Sequence, residues 1–439
     1  MKSYTLVTLL LLGLLSACNK PSTVIQALLG EQSPRDTYVR TLRKQGMLET
    51  EAVQQWLHAG ETALRDSLIV SLPFREDGVF PAGGQRVFTY QFTLPAGRRL
   101  EVQLNSTDSL YFLDLFQLRE NASPQRLAYV SEKNRILRWE ATDDTPLLLR
   151  LQPQLSQSEG EFSLRLRTEP LLAFPVAGKS AQHIISFWGA ARDGGARSHE
   201  GIDVIAPRGT PLLASVPGYI TRTGTNPLGG NVVHLSADGL NLSLYYAHLD
   251  QQLVQSGQRV RAGDTLGTVG NTGNAITTAP HLHFGIYRSG GAVDPLPYVQ
   301  APELPAATVS KRSADTLRTR EATALFSSLP PSRTTRQRLP RHAIVWVEAA
   351  TKGYFRVQTP EGQRGYVLAS SIQPTDKRLS RRKLTTMGIF RENLTEAVAD
   401  TLPKGTTIDV LGTAAAHEFI RLSDGRRGWI PTISDVKTL

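Results

Sequence analysis

The chain has 439 residues, 40% hydrophobic and 20% charged, with 36 glycines and 26 prolines. That length fits about three domains, and the composition excludes a disordered tail protein, a coiled coil and a collagen. A single cysteine excludes an internal disulfide framework and a thiolate metal cluster, so a metal site has to come from His, Asp and Glu. The net charge of +10 sits in the C-terminal third: residues 301–439 hold 22 Lys and Arg against 13 Asp and Glu, the first 300 residues 27 against 26. Such a surplus suits a solvated surface or attraction to an anionic polymer.

Residues 1–17 are expected to be a signal peptide. Lys2 gives the positive start, and Leu6 to Leu15 give an apolar core too short to span a bilayer. Leu15-Ser16-Ala17-Cys18 resembles a bacterial lipobox, which implies cleavage before Cys18 and acylation of its thiol, a tether to the membrane. Asn19, where Asp would favour inner-membrane retention, implies an outer-membrane protein facing the periplasm. Export argues against nucleic acid as a partner.

A tether over 18–32 leads to a helical segment, 33–70. Ser33-Pro34 is a start signal, and helical spacing of Tyr38, Val39, Leu42 and then Val53, Trp56, Leu57, Leu64 and Leu68 predicts helices over 34–45 and 49–68. Over 72–168 the period changes to two, as in Phe88, Tyr90, Phe92 and Leu94, predicting a β-sandwich with a structural or docking role. Residues 172–298 carry the chemistry, and 299–314 read as linker. Two segments, 315–373 and 378–437, repeat one another: Leu339-Pro340 recurs as Leu402-Pro403, and Gly365-Tyr366-Val367 as Gly428-Trp429-Ile430, each 63 residues on. Their order of strand, aromatic strand, turn and Gly-aromatic-aliphatic resembles bacterial SH3-like barrels, which implies docking on cell-wall peptides; barrels that only pack or space are the alternative. The fold class expected is mainly β.

Four of the nine histidines lie in short motifs. In His199-Glu200-Gly201-Ile202-Asp203, positions i and i+4 share a strand face; in His281-Leu282-His283, so do positions i and i+2. The third motif, Tyr245-Tyr246-Ala247-His248-Leu249, is an aromatic segment ending in His. Imidazole with carboxylate suits Zn²⁺, and a catalytic zinc keeps three protein ligands and one exchangeable water. Two His and one Asp fill that count, leaving two histidines for proton transfer.

These blocks, running from His199 through Pro211, with Tyr246-Ala247-His248-Leu249, Gly257-Gln258-Arg259-Val260, Pro280-His281-Leu282-His283-Phe284 and Val293-Asp294-Pro295, resemble the lysostaphin-type zinc metallopeptidase family over 172–298. The resemblance implies that His199, Asp203 and His283 bind zinc, that His248 and His281 are the catalytic pair, and that the substrate is the peptide cross-links of peptidoglycan. One departure stands out: several family members place a tyrosine shortly before the first ligand, and Phe187 to Asp193 here contain none. Asp193 and Glu200 are candidates to orient an imidazole, with a solvated surface charge the blander reading of Glu200. His234 reads as structural. Gly270-Asn271-Thr272-Gly273 is expected to shape the approach to His281.

The sequence thus predicts a lipid-anchored zinc endopeptidase of the cell wall. Its rivals are a non-catalytic wall-binding lipoprotein that activates other hydrolases, which the complete ligand set argues against, and a secreted bacteriocin-like lysin, which the lipobox argues against.

Overall fold

The computed structural model describes residues 32–80, 86–106, 111–130, 136–155, 159–301, 316–331, 335–394 and 400–432, without the side chain of Asp193. The signal segment, Cys18 and most of the expected tether and linker lie outside them.

The first helix, Pro34–Lys44, starts where Ser33-Pro34 predicts: the Ser33 hydroxyl accepts the Asp36 amide hydrogen at 3.2 Å, and Pro fills a first-turn position that needs no donor. The second, Glu51–Thr62, ends six residues before the expected boundary. Leu68 belongs instead to the strand Leu68–Val70, which lies parallel to residues 90–91 on one side and 328–329 on the other. Its apolar triplet satisfies helical spacing in the sequence, but ladder bonds on both edges decide the outcome. The helices dock through Trp56, which is fully buried and donates its indole N–H to the Pro153 carbonyl at 2.8 Å.

Two sheets of the sandwich face one another across a core that includes Phe80, Phe88, Tyr90, Leu100, Val102, Leu149 and Leu164. Both sheets extend beyond the expected 72–168. One runs, in spatial order, from Ser328–Leu329 through Leu68–Val70, Phe88–Leu94, Thr145–Pro153 and Tyr111–Gln117 to Gln125–Tyr129; the other from Arg364–Leu368 through Tyr354–Gln358, Ile344–Thr351, Phe74–Phe80, Gly160–Pro170 and Arg98–Ser106 to Ile136–Ala141. The first C-terminal repeat therefore joins the sandwich edge to edge and contributes Leu329, Ala349 and Tyr366 to its core. Asp77 pairs with Ala350 and Gly78 with Ala349. Gly78 is required there, since a Cβ would sit 2.5 Å from the Phe162 ring and 2.9 Å from the Ala349 methyl. The sequence repeat is also a topological one. In both halves a larger sheet is accompanied by a two-strand ribbon: Thr323–Leu325 with Gln337–Leu339 in the first, Gly388–Phe390 with Asp400–Leu402 in the second. The second repeat keeps its own sheet of Ser380–Lys383, Thr407–Ala414, His417–Leu422 and Arg427–Pro431.

The middle of the chain forms a ten-stranded sheet. Its main path is Ile184–Ser186, Ile202–Ile205, His281–Arg288, Ser243–Gln252, Gly230–Ala237, Gly218–Asn226 and Arg259–Val260. Leu244, Tyr246, Leu282, Phe284 and Ile286 alternate into a core with no solvent exposure, while the intervening residues look out to the opposite face. The body is seated on the sandwich by Tyr298, whose ring lies where a Cβ on Gly97 would be 2.5 Å away, and by the Arg288–Asp143 ion pair at 2.7 Å.

Candidate metal centre

Asp203 and His283 are cross-strand partners on Ile202–Ile205 and His281–Arg288, so their side chains leave the sheet side by side on one face. His199 reaches them by a different route from the one expected. It precedes the strand rather than lying on it, and the turn at Glu200-Gly201 brings its ring over the pair. Gly201 makes this approach possible, because a Cβ there would meet the Phe284 carbonyl at 2.5 Å and the His283 ring at 2.7 Å.

The three ligating atoms converge. His199 Nε2 lies 3.0 Å from Asp203 Oδ1 and 2.9 Å from His283 Nδ1, and His283 Nδ1 is 3.0 Å from the same Asp203 oxygen. His199 Nδ1 lies 2.9 Å from the Phe187 carbonyl, which accepts its proton; the far nitrogen then carries a lone pair. Two imidazoles and a carboxylate thus turn toward one point with too few protons to join every edge of the triangle. That donor set, with all ligating atoms within 4.8 Å of one another, fits Zn²⁺ bonded at about 2.0–2.2 Å and leaves a fourth position. Burial alone would push Asp203 up, but the facing imidazoles outweigh it and hold the carboxyl well below the usual carboxylate range; His283 is lowered by burial in spite of Asp203. The other Asp203 oxygen accepts from Arg192 at 2.6 Å, and the same guanidinium nitrogen donates to Ser186 Oγ at 2.7 Å.

His248 and His281 stand beside this triangle, ring centroids 5.0 Å apart, with His248 6.0 Å from His283. Strict alternation from Tyr246, which is inside the core, would turn His248 inward too. A bulge prevents it: between the pairs Val233–Tyr246 and Asn231–Leu249 the register shifts, and His248 takes φ 65°. Its Nδ1 donates to the Thr272 carbonyl at 2.9 Å, as His281 Nδ1 does to Ala279 at 2.8 Å, which frees both Nε2 atoms as acceptors. Burial, followed by the charge of His281, lowers His248 to about 4. The Gly270–Gly273 turn therefore holds His248 through Thr272, and meets His281 through the backbone, whose amide donates to the Gly270 carbonyl at 3.0 Å.

All five predicted residues line one cleft of about 930 Å³. Among the described residues, none of the sandwich or of the repeats is in its lining. Glu200 is exposed and makes no hydrogen bond to an imidazole among the described residues; burial, and after it the Glu200 charge, pushes the Tyr287 hydroxyl up to about 12. The half-buried His234 ring lies in the cleft, 4.7 Å from that of Tyr245. Sequence reading passed over Arg192, Arg222 and Tyr245. For Tyr245 the signal was present, because in Tyr245-Tyr246-Ala247 the core takes the middle residue and the cleft takes the outer two.

A profile of peptidase family M23 matches residues 197–295, the stretch that holds all five of these side chains. The chain carries a lysostaphin-type M23 domain. The chain is similar to the DD-carboxypeptidase/endopeptidase Mpg of Neisseria meningitidis serogroup B, at 37% identity over 178 residues, covering 39% of this chain and 37% of that one. It is similar to the L-Ala–D-Glu endopeptidase of Bacillus subtilis, at 35% over 141 residues, covering 29% and 43%. It is also similar to the murein hydrolase activator NlpD of Salmonella dublin, at 33% over 150 residues, covering 34% and 37%. The chain spans less than half the length of these curated relatives.

Proposed function

We propose that the protein is a zinc-dependent endopeptidase that hydrolyses peptide cross-links of bacterial peptidoglycan. The observation that carries this reading is the convergence of His199 Nε2, Asp203 Oδ1 and His283 Nδ1 beside two histidines whose Nε2 atoms are free. Zinc held by those three side chains supplies an activated water and a Lewis acid for the scissile carbonyl. Everything else falls to the chain. Phe187 fixes the His199 tautomer, and Arg192 occupies the Asp203 oxygen that faces away from the other two ligands. His248, neutral down to about pH 4, accepts a proton at Nε2; His281, pinned the same way, is its partner, and the imidazolium so formed returns the proton to the departing amine. The relatives named for DD- and L-Ala–D-Glu endopeptidase activity support a wall peptide as substrate. The likeness to a hydrolase activator favours the non-catalytic rival, but a pure activator has no use for five converging, correctly tautomerised side chains.

The same reading places Cys18 as the acylated anchor at the outer membrane, facing the periplasm, and the two C-terminal repeats, similar to SH3-like barrels, as the part that holds the enzyme to the wall. Mass spectrometry of purified sacculi incubated with the protein tests the central claim. Release of cleaved cross-links that stops with chelator and returns with added Zn²⁺ is expected. Intact sacculi at every zinc concentration would overturn it in favour of the activator.

A further inference from the structure

Three arginines line the cleft. Arg192 is committed to Asp203, and Arg197 also has a partner. Arg222 is different: among the described residues its guanidinium has no ion-pair partner, and its side chain is exposed toward the cleft. It ends a row of side chains set by sheet register. Ala247 is opposite His283, Tyr245 lies two residues back on the same strand, His234 is opposite Tyr245, and Arg222 is opposite His234. The row thus crosses from the strand His281–Arg288 to the strand Gly218–Asn226, all on the cleft face. The Tyr245 ring stands 5.9 Å from His283 at one end and 4.7 Å from His234 on the other side, and Asn226 Nδ2 lies 3.4 Å from the Tyr245 hydroxyl. Burial and the neighbouring Arg222 keep His234 below its ordinary value, so the row carries one positive charge.

We propose that Tyr245, His234 and Arg222 form a substrate subsite in which the two rings support the peptide backbone and Arg222 takes a peptide carboxylate. The proposal rests on the endopeptidase reading and names what that endopeptidase selects: an anionic peptide. Three strand spacings separate the metal-binding strand from that of Arg222, about 14 Å, and an extended peptide covers that distance in about four residues. The carboxylate recognised is therefore remote from the scissile bond, three or four residues along. Arg suits the task because its planar guanidinium pairs bidentately with a carboxylate, and a cation in a concave wall without its own counter-ion concentrates anions there.

The test uses two synthetic cross-linked stem peptides that differ only in carrying free side carboxylates or their carboxamides. The full-length protein is expected to prefer the carboxylate form by about tenfold or more in kcat/KM, the usual worth of a charge-assisted bond. Arg222→Gln should abolish that preference through a higher KM, leaving hydrolysis of the carboxamide within about twofold; Arg222→Lys should recover part of it. Equal hydrolysis of both peptides by the unmodified protein, or an unchanged preference in Arg222→Gln, overturns the subsite and leaves the hydrolase standing. Cleavage of neither peptide overturns the hydrolase reading alone. In that case titration of the carboxylate peptide into His281→Ala and into the Arg222→Gln, His281→Ala double variant decides the subsite: weaker binding by the double variant upholds it, and equal binding overturns it.

Discussion

Two of the places where the protein buries charge handle it in opposite ways. At the seam between the sandwich and the first repeat, Arg356 lies between Glu76 at 3.6 Å and Glu348 at 3.4 Å, all three with at most 2% of the side chain exposed. Arg86 and Arg364 each reach Glu348 at 3.3 Å, while Tyr90 and Tyr366 donate to Glu76 at 2.5 and 3.1 Å. The guanidinium is also stacked over Phe88, 4.9 Å from the ring centroid. Each carboxylate is met by at least one cation, so the cluster is compensated from within. In the cleft, by contrast, a carboxylate and two imidazoles turn three ligating atoms toward one point with too few protons to join every pair. A self-balanced cluster specifies how two parts of a chain fit; an unbalanced one requires something from outside. Buried charge alone therefore does not mark a functional site, whereas its lack of internal compensation does.

The comparison breaks first at the ligands. His199→Ala or Asp203→Ala should remove bound zinc and take hydrolysis below detection, as read by metal analysis of the purified protein and by muropeptide release. The thermal midpoint in chelator should fall far less than in a seam variant, since the three side chains line an open cleft and share too few protons to bond every pair. A large drop there would mean that the triangle, like the seam, is structural. His281→Ala should separate binding from turnover: zinc content near that of the unmodified protein, with kcat reduced by about 10²–10⁴-fold. Normal cleavage by this variant would remove His281 from the proton path.

At the seam the expected loss is of stability, with chemistry spared. Arg356→Ala leaves Glu76 and Glu348 buried without their shared cation, which should cost about 3–5 kcal/mol in a denaturant titration. Replacing the pair together, Glu76→Leu with Arg356→Met, should restore most of it. Folded Arg356→Ala protein should keep the kcat of the unmodified protein on a soluble peptide, because no seam residue lines the cleft. A loss of kcat in the folded variant would show that the two regions are coupled.

The two regions were also unequally legible. The site was readable because its ligands come in short motifs: Asp203 follows His199 by four residues, and His283 follows His281 by two. Strand periodicity then puts His281 and His283 on one face of their strand, while the pairing that sets Asp203 beside His283 is a matter of register between two strands. The route of His199 was misread, since a loop and not a strand carries it, and Gly201 was the clue. The bulge at His248 could not be read at all, because a one-residue shift of register depends on the partner strand. The seam was invisible for a similar reason. Glu76 and Arg356 are 280 residues apart in the sequence, and the pairing of Gly78 with Ala349 has no local signature. The repeat at 63 residues was legible as a repeat; its fusion to the sandwich was not. Helix spacing carried the second helix too far, because Leu64 and Leu68 fit a helical face that the turn at 63–66 interrupts.

Arg192 tests the boundary between the two kinds of cluster, since it is a cation paired with a member of the triangle. It pairs with Asp203 Oδ2 and is about one-third exposed, so part of its charge is spent on solvent. If it acted as Arg356 does, its loss would destabilise the fold. The geometry points elsewhere: by holding Oδ2 it turns Oδ1 toward His199 and His283, and its bond to Ser186 Oγ fixes the guanidinium. Arg192→Gln should therefore leave the thermal midpoint of the metal-free protein within error and weaken zinc binding by about 10–100-fold, measured by competition with a chelator of known affinity. Saturating zinc should then restore most of the turnover. A variant that binds zinc normally but melts several degrees lower would show that Arg192 serves the fold.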